Sequence, residues 1–287
     1  MLMPFNFSDI SVFIIKLTFK SRFKLSRLCK KIPPLARAAD ILFFQGDDIL
    51  VIPRDNTINK NYTSVEINQD ILIPQEETIL PSHVLKEIIL KSRYHVIMDK
   101  CICRVSNGCE NYPHELGCLF LGRGASKISP KLGKRVSTKQ AINHVEKCQK
   151  AGLVHIIGRN KIDSVWLNTG PKEDLLSICN CCSCCCLWKM APELPDNIAK
   201  SIAPMIGMKI KFQEELCNGC GQCSSSICFV EAITLKNDKA IRDSEKCKGC
   251  GRCAEICNRG AFRVEIKPDA VKNSIEHVNS LVDVESD

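Results

Sequence analysis

Two cysteine motifs near the C-terminus have the residue type and the spacing of iron–sulfur ligands. They repeat after about thirty positions, as Cys217-x2-Cys220-x2-Cys223-x4-Cys228 and Cys247-x2-Cys250-x2-Cys253-x3-Cys257. Three thiolates at positions i, i+3 and i+6 let one loop bind three corners of a cubane, while a more distant thiolate binds the fourth iron. A zinc site made of two C-x2-C pairs is the alternative, but it leaves the third cysteine of each motif without a role.

The region 207–267 resembles the bacterial-type dicluster ferredoxins, in which the fourth ligand of each cluster comes from the other motif. The resemblance implies two [4Fe–4S] clusters, one held by Cys217, Cys220, Cys223 and Cys257 and the other by Cys228, Cys247, Cys250 and Cys253. The chain departs from the family at Phe229 and Asn258, where proline is usual, and by one extra residue before Cys228. We interpret these departures as a local adjustment of the loop.

A second group of cysteines follows a predicted strand, Tyr94–Met98. Side chains two positions apart on an extended segment point to the same side, so Cys101 and Cys103 are expected to address one metal centre. The loop that follows then returns Cys118 to the same place, with Cys109 between them. We expect His114, inside this loop, to be solvated and not a ligand.

A third group is the run of six cysteines between positions 179 and 186. Adjacent cysteines point in different directions, so the six thiols cannot all bind one cubane. Together the second and third groups predict at least one further iron–sulfur cluster in the middle of the chain. The ten candidate ligands are Cys101, Cys103, Cys109, Cys118, Cys179, Cys181, Cys182, Cys184, Cys185 and Cys186. Cys29 is isolated, and Cys148 belongs to the apolar face of a predicted helix, so neither is expected to bind metal.

The order of these elements is similar to that in a group of larger ferredoxin-like iron–sulfur proteins of anaerobic archaea and bacteria. A C-x-C-R element, a C-N-C-C-x-C-C-C element and a terminal dicluster region carry the similarity, which spans Pro81 to Ile266. It implies electron transfer, with cluster ligands in the last domain. It implies no role for the upstream cysteines.

Composition restricts the cellular compartment and the class of partner that we expect for the protein. The chain has 287 residues, 20 cysteines and a formal net charge of +8. Cysteines clustered at metal-ligand spacing, without an evident cleavable signal, do not suit a secreted disulfide protein, so we expect the reducing cytoplasm of an anaerobe. Because each oxidised [4Fe–4S] core with four thiolates adds about −2, the positive charge alone does not favour a nucleic-acid partner.

The sequence predicts an α+β protein in which a cysteine-rich α/β middle domain precedes the dicluster ferredoxin-like domain that the resemblance implies. The expected parts are a basic segment (1–35), a mixed part (36–100), the cysteine-rich domain (101–206), the ferredoxin domain (207–267) and an acidic tail (268–287). Helices are predicted at Ser82–Ser92 and from the capping box at Ser137 to Gly152. Strands are predicted at Ile41–Phe44, Ile49–Ile52, Ile71–Ile73, Leu153–Ile157, Ser164–Leu167, Ala232–Leu235, Lys239–Ile241 and Phe262–Ile266.

The first segment combines the apolar run Ile10–Leu17 with six basic residues, and it is too short and too charged to span a bilayer. We expect it to lie on an anionic membrane surface at the inner face or to dock on an acidic redox partner, without serving electron transfer itself. An ordinary surface helix is the alternative.

Three functions fit the sequence. The first is an electron-transfer protein that relays single low-potential electrons between a donor and a partner oxidoreductase or an internal third cluster. The second is a ferredoxin-fused redox enzyme or activase with its active centre at the middle cysteines. The third, an iron–sulfur DNA-binding regulator, rests only on a predicted helix and hairpin after position 137 and predicts salt-dependent duplex affinity.

Overall fold

The computed structural model of the protein describes residues 7–59 and 80–287. The predicted strand Ile71–Ile73 lies outside these residues. The α+β class is confirmed. Among the described residues, no helix combines the length and the apolar character needed to cross a membrane.

A seven-stranded sheet forms the centre of the molecule. Its strand order is β4-β2-β3-β6-β5-β1-β7, and the neighbours are antiparallel except for the parallel pair β1 and β7. The predicted boundary at residue 100 therefore falls inside one sheet. The strands are β1 (Asp48–Ile52), β2 (His95–Met98), β3 (Leu119–Leu121), β4 (Gly133–Arg135), β5 (Val154–Arg159), β6 (Leu176–Cys181) and β7 (Ile202–Pro204).

Helices cover the sheet and the C-terminal region. Those in the first half of the chain are α1 (Phe7–Thr18), α2 (Arg22–Lys31), α3 (Pro33–Ala39), α4 (Asn56–Asn59), α5 (His83–Lys91), α6 (Ile102–Asn107) and α7 (Thr138–Lys150). Those in the second half are α8 (Lys161–Leu167), α9 (Asp196–Lys200), α10 (Arg252–Ile256) and α11 (Ala270–Leu281). The capping box predicted at Ser137 is confirmed: its hydroxyl accepts from the Gln140 backbone N–H, and the Gln140 side chain accepts from the Ser137 backbone N–H.

Both faces of the sheet are buried, which explains why its inner strands read as continuous apolar runs. On β1, Leu50 and Ile52 pack on the side of α5, α7 and α11, whereas Ile49 and Val51 pack on the side of Trp188. The same alternation puts Cys179 and Cys181 of β6 on the Trp188 side. The cysteine-rich region therefore lies on one face of the sheet.

The N-terminal helices pack on that cysteine-rich region. Phe19 and Cys29 are buried, the Ser8 hydroxyl donates to the Leu167 carbonyl at 3.1 Å, and Lys30 donates to the Pro192 carbonyl at 3.2 Å. The segment is thus part of the folded chain. The strand predicted at Ile41–Phe44 is wrong, because Asp40–Phe44 forms a π-helical turn that continues from α3 and buries Phe44 against Trp188.

Two further sequence expectations are corrected by helices. Cys101 and Cys103 do not lie together on an extended segment, because Cys101 is the N-cap residue of α6 and Cys103 lies in the first turn of that helix. The strand predicted at Ser164–Leu167 is wrong, since α8 forms there; the hairpin that resembled a winged-helix fragment does not form. Asp163 stabilises α8 by accepting hydrogen bonds from Trp166 Nε1 at 2.9 Å and from the Ser177 hydroxyl at 2.7 Å.

The last eighty residues form two small ladders and a helix. The strands β8 (Met208–Phe212) and β11 (Phe262–Ile266) pair antiparallel, and β9 (Ile233–Lys236) pairs with β10 (Lys239–Arg242). The three strands predicted in this region are therefore present. The region after Pro268, expected to be a tail, forms α11, which buries Val271 and Val278 against α5 and the sheet.

Candidate metal centres

The first set of ferredoxin cysteines surrounds a cavity. The thiols of Cys217, Cys220 and Cys223 lie with the sequence-distant Cys257 around one pocket. Apolar side chains close its sides, among them Leu235 and Phe262. Cys220 is exposed, so this set lies near the protein surface. Four thiols around an apolar cavity match the ligands that a [4Fe–4S] group requires.

The second set lies deeper. Cys228 comes from the first motif, yet it interacts electrostatically with Cys247 and Cys250, and Cys253 interacts with all three. Cys253 is buried, and burial, followed by the neighbouring thiolates, raises its thiol pKa well above the ordinary value. Burial also raises the pKa of Cys250 to about 11. Without a metal these thiols hold their protons at neutral pH, so metal binding must release them.

Two glycines of the second motif allow it to pack against the sheet region. Gly249 and Gly251 have φ values of +68° and +77°, a region in which other residues are strained. A Cβ atom on Gly249 would lie 2.7 Å from the Pro204 Cβ, and one on Gly251 would lie 2.9 Å from the Thr57 Cγ2. The cysteine loop therefore lies directly on β7 and α4.

Residues 240–263 match the family model of the 4Fe-4S binding domain. The matched segment contains the second motif, Cys247 to Cys257. The chain therefore carries a 4Fe-4S binding domain in its last third. No curated protein and no solved structure matches the chain.

Outside the 4Fe-4S binding domain, the ten middle cysteines separate into two groups. Sulfur-to-sulfur contacts join Cys101 to both Cys103 and Cys118, and Cys118 to Cys179. Cys181 and Cys186 lie 3.1 Å apart at their sulfur atoms, and Cys186 also interacts with Cys103. We name these six residues the six-thiol group: Cys101, Cys103, Cys118, Cys179, Cys181 and Cys186.

The remaining four cysteines form a separate and more compact cluster. We name Cys109, Cys182, Cys184 and Cys185 the four-thiol group; their sulfur atoms all lie within 4.8 Å of one another. Cys182 and Cys185 are buried, while Cys109 and Cys184 are half-buried. The sequence predicted all ten as candidate ligands but gave no way to assign them to separate sites.

A buried arginine lies between the two groups. Arg104 is fully buried, and its guanidinium donates to the carbonyls of Asn180 and Leu116. Burial lowers the pKa of Arg104, but the surrounding thiolates, of which Cys101 interacts most strongly, outweigh this and raise it above the ordinary value. An uncompensated buried cation is costly, so its setting requires anionic thiolates nearby. The C-x-C-R pattern contained this arginine, but only the fold shows which thiols it faces.

A second cation reaches the thiols from the N-terminal helices. Arg22 of α2 is buried between the rings of Phe19 and Phe23, at 4.3 and 4.4 Å from their centroids. Burial lowers its pKa, while Cys103, Cys186 and Cys185 oppose that effect. The sequence did not single out Arg22, because it lies in a run of basic residues that predicts a solvated surface.

The 4Fe-4S binding domain touches the six-thiol group directly. Arg252 of α10 donates to the Cys181 carbonyl at 3.0 Å. Cys228, Cys247 and Cys250 pack against the same apolar cluster as Cys179 and Cys181, and that cluster includes the buried Cys186. The second ferredoxin set and the six-thiol group are therefore neighbours.

Three other residues do not belong to these groups. His114 Nε2 lies 2.8 Å from the Cys109 carbonyl, an arrangement that occupies this ring nitrogen. Cys148 is buried on α7, and burial raises its pKa to about 12, so it remains a neutral thiol. Cys29 is buried in α2, and burial raises its thiol pKa.

Proposed function

We propose that the protein is a polyferredoxin-like electron-transfer protein. It relays single low-potential electrons between a donor and a partner oxidoreductase or an internal third cluster. In this proposal Cys217, Cys220, Cys223 and Cys257 hold one [4Fe–4S] cluster, and Cys228, Cys247, Cys250 and Cys253 hold a second. The six-thiol group holds the third.

The observation that carries the proposal is the contact between the 4Fe-4S binding domain and the six-thiol group. The Arg252 hydrogen bond to Cys181 and the shared apolar cluster keep the two sets of thiols next to each other. An ion pair between Arg54 and Glu255 adds a second link between α10 and the sheet region. A domain that served only as an independent carrier would not need these links.

The two ferredoxin sets differ in burial, and this difference supports electron transfer between the protein surface and the middle region. Cys220 is exposed, whereas Cys253 lies in the interior beside the middle region. A [4Fe–4S] group supplies reversible one-electron chemistry when bound. The chain's own part is to hold its ligands, keep water out of the inner sites and place cations beside the thiolates.

Acid-labile sulfide and electron paramagnetic resonance test this function. Two cubanes supply about eight sulfides per chain, so a third iron–sulfur cluster should raise the acid-labile sulfide of anaerobically reconstituted protein above eight. Reduction should produce spectra of more than two interacting clusters. A sulfide content that remains near eight would leave the six-thiol group without a cluster and remove the internal third centre.

We also propose that the outer surface of α1 and α2 docks on an anionic lipid surface. Phe13, Leu17 and Leu25 are 67%, 73% and 57% exposed, which is unusual for large apolar side chains. Basic side chains lie between them on the same helices, and each contributes on the order of 1 kcal/mol near an anionic membrane. This combination is typical of a helix that lies in the membrane interface.

A further inference from the structure

The geometry of the four-thiol group differs from that of the ferredoxin sets. Cys184 Sγ lies 3.5 Å from Cys109 Sγ and 3.6 Å from Cys185 Sγ, and the whole group lies within 4.8 Å. Four thiolates bound to one tetrahedral ion at a metal–sulfur distance of about 2.3 Å are about 3.8 Å apart. The group therefore has the size of a site for a single ion.

A cubane does not fit this spacing. Its thiolates are separated by four irons and four sulfides, which holds them further apart than ligands that share one ion. Within residues 7–59 and 80–287, no other group of three or more potential ligands has all of its ligand atoms within 4.8 Å of one another, and this includes the two ferredoxin sets. The compactness is thus a property of these four residues and is not shared by the other cysteine sites.

Local structure also favours a single-ion site. Cys182 and Cys185 have the x2 spacing of a tetrahedral thiolate loop, and the Cys185 backbone N–H donates to Cys182 Sγ at 3.3 Å. Hydrogen bonds of this kind stabilise the charged thiolate. The other side of the site comes from Cys109, in the loop after α6, which is 75 positions away from Cys184.

The surroundings supply both exclusion of water and charge balance. Leu153 and Cys148 are fully buried beside the group, and Tyr112 and Leu116 pack on it. One divalent ion with four thiolates carries about −2. Arg104 interacts with Cys182 and Arg22 interacts with Cys185, so two cations face this negative charge.

We infer that Cys109, Cys182, Cys184 and Cys185 bind one divalent metal ion, Zn²⁺ or Fe²⁺, in a closed all-thiolate site without inorganic sulfide. Binding replaces the thiol protons, which pass to solvent, and no electron is transferred. Because all four positions around the ion are filled by protein, the ion has no open position for a substrate, and with Zn²⁺, which has no redox chemistry, the site is structural. It ties the loop after α6 to the loop after β6.

This assignment explains how the run from Cys179 to Cys186 is used. Cys179, Cys181 and Cys186 belong to the six-thiol group, whereas Cys182, Cys184 and Cys185 belong to the single-ion site. The ion fixes the turn that separates the two sets. The inference does not depend on the electron-transfer proposal, since a structural ion is compatible with any function of the six-thiol group.

The ratio of metal to sulfide tests the inference on the wild-type chain. A [4Fe–4S] cluster contributes equal numbers of iron and sulfide, so only a sulfide-free site makes the two differ. We expect iron plus zinc to exceed acid-labile sulfide by about one per chain in anaerobically reconstituted protein. Zinc or iron absorption spectroscopy tells which ion is present. Equal metal and sulfide would overturn the inference, and this measurement needs no variant.

Matched variants then locate the ion. Cys109→Ser should remove the excess metal, while the electron paramagnetic resonance of the ferredoxin clusters remains. Cys148→Ser is the control, because Cys148 is a buried thiol in the same apolar cluster but lies outside the four-thiol group. It should retain the excess ion. Loss of four irons together with four sulfides in Cys109→Ser would show a cubane at this position and contradict a single-ion site.

Discussion

Arg104 sets the charge of the middle region. Its guanidinium is fully buried, donates to two carbonyls and lies among thiols of both middle groups. A buried cation beside a redox centre stabilises the more negative, reduced state, because Coulomb energies are larger away from bulk water. The arginine therefore both holds the loops in place and raises the reduction potential of any cluster that the six-thiol group binds.

Replacing Arg104 tests this role. Arg104→Met should lower the potential of the middle cluster on the order of 60 mV, the equivalent of a tenfold change for a one-electron couple. Arg104→Lys keeps the charge and should stay closer to wild type. The measurement is a redox titration followed by electron paramagnetic resonance. An unchanged potential in the methionine variant, with iron content retained, would show that Arg104 has only a structural role.

Cys228 tests the crossed ligation that the ferredoxin resemblance implies. Its thiol lies with Cys247, Cys250 and Cys253, not with the first motif from which it comes. Cys228→Ala should therefore damage the cluster of the second motif and lower the iron content by up to about four per chain. The spectrum of the cluster near the surface should persist. Loss of that surface signal instead would contradict the crossed assignment.

The helices α1 and α2 have two faces with different roles. The inner face buries Phe19, Arg22 and Cys29 against the cysteine-rich region. The outer face exposes apolar and basic side chains. The segment therefore also contributes to the cysteine-rich region, because Arg22 places a cation beside three of the thiols.

The two faces can be separated by substitution. Changing Phe13 and Leu17 to serine should weaken sedimentation with anionic vesicles several-fold and leave metal content unchanged, since both side chains point to solvent. Arg22→Ala should do the opposite, with vesicle binding retained and metal lost from the middle region. Vesicles of neutral lipid serve as the control. Equal binding by wild type and the serine variant would remove the proposed lipid contact.

The junction between β1 and α8 gives a pH-dependent prediction. Asp47 is buried, accepts from the Lys161 backbone N–H at 2.7 Å, and burial raises its pKa from 3.8 to about 7. Between these values the folded state holds a proton that the unfolded state has lost, so stability falls as pH rises from about 4 to 7. Above about pH 7 Asp47 is ionised in both the folded and the unfolded state, so the loss of stability that it causes no longer changes with pH.

Asp47→Asn removes that loss of stability and keeps the acceptor oxygen. The variant should be more stable than wild type at pH 7.5, by on the order of 1.4 kcal/mol for each pKa unit of the shift that the site imposes. The difference should shrink at pH 5. Anaerobic thermal unfolding of both proteins at the two pH values measures it. A difference that is the same at both pH values would show that Asp47 is already ionised in the fold.

The sequence predicted those features of the fold that depend on residues close together in the chain. The capping box of α7 and the alternation in β11 are local signals, and each corresponds to the observed element. The cysteine spacing of the second motif is local too, and it lies within the match to the 4Fe-4S binding domain. The helix α8 was missed because Val165 and Trp166 favour strands, and hydrogen bonds to Asp163 override that preference.

Other features of the fold could not be predicted from local sequence patterns, because they depend on contacts between residues that are distant in sequence. The pairing of Leu119 with Ile178 sets the two cysteine-rich segments side by side, and no periodicity records it. The division of ten thiols into six and four follows from that pairing and from the turn after β6. The packing of α11 on α5 was hidden by the acidic residues that follow it.

The packing of the inner face of α1 and α2 also constrains the order in which the parts of the protein assemble. These helices leave the ribosome before the middle region does, and the thiols with which Arg22 interacts include Cys186, which is synthesised 164 residues later. At 5–20 residues per second this delay is roughly 8–30 s. During that interval the surface on which α1 and α2 pack is incomplete, and the middle cysteines that have already been synthesised remain accessible to metal donors. We therefore expect metal loading of the middle region to precede the final packing of α1 and α2 over it.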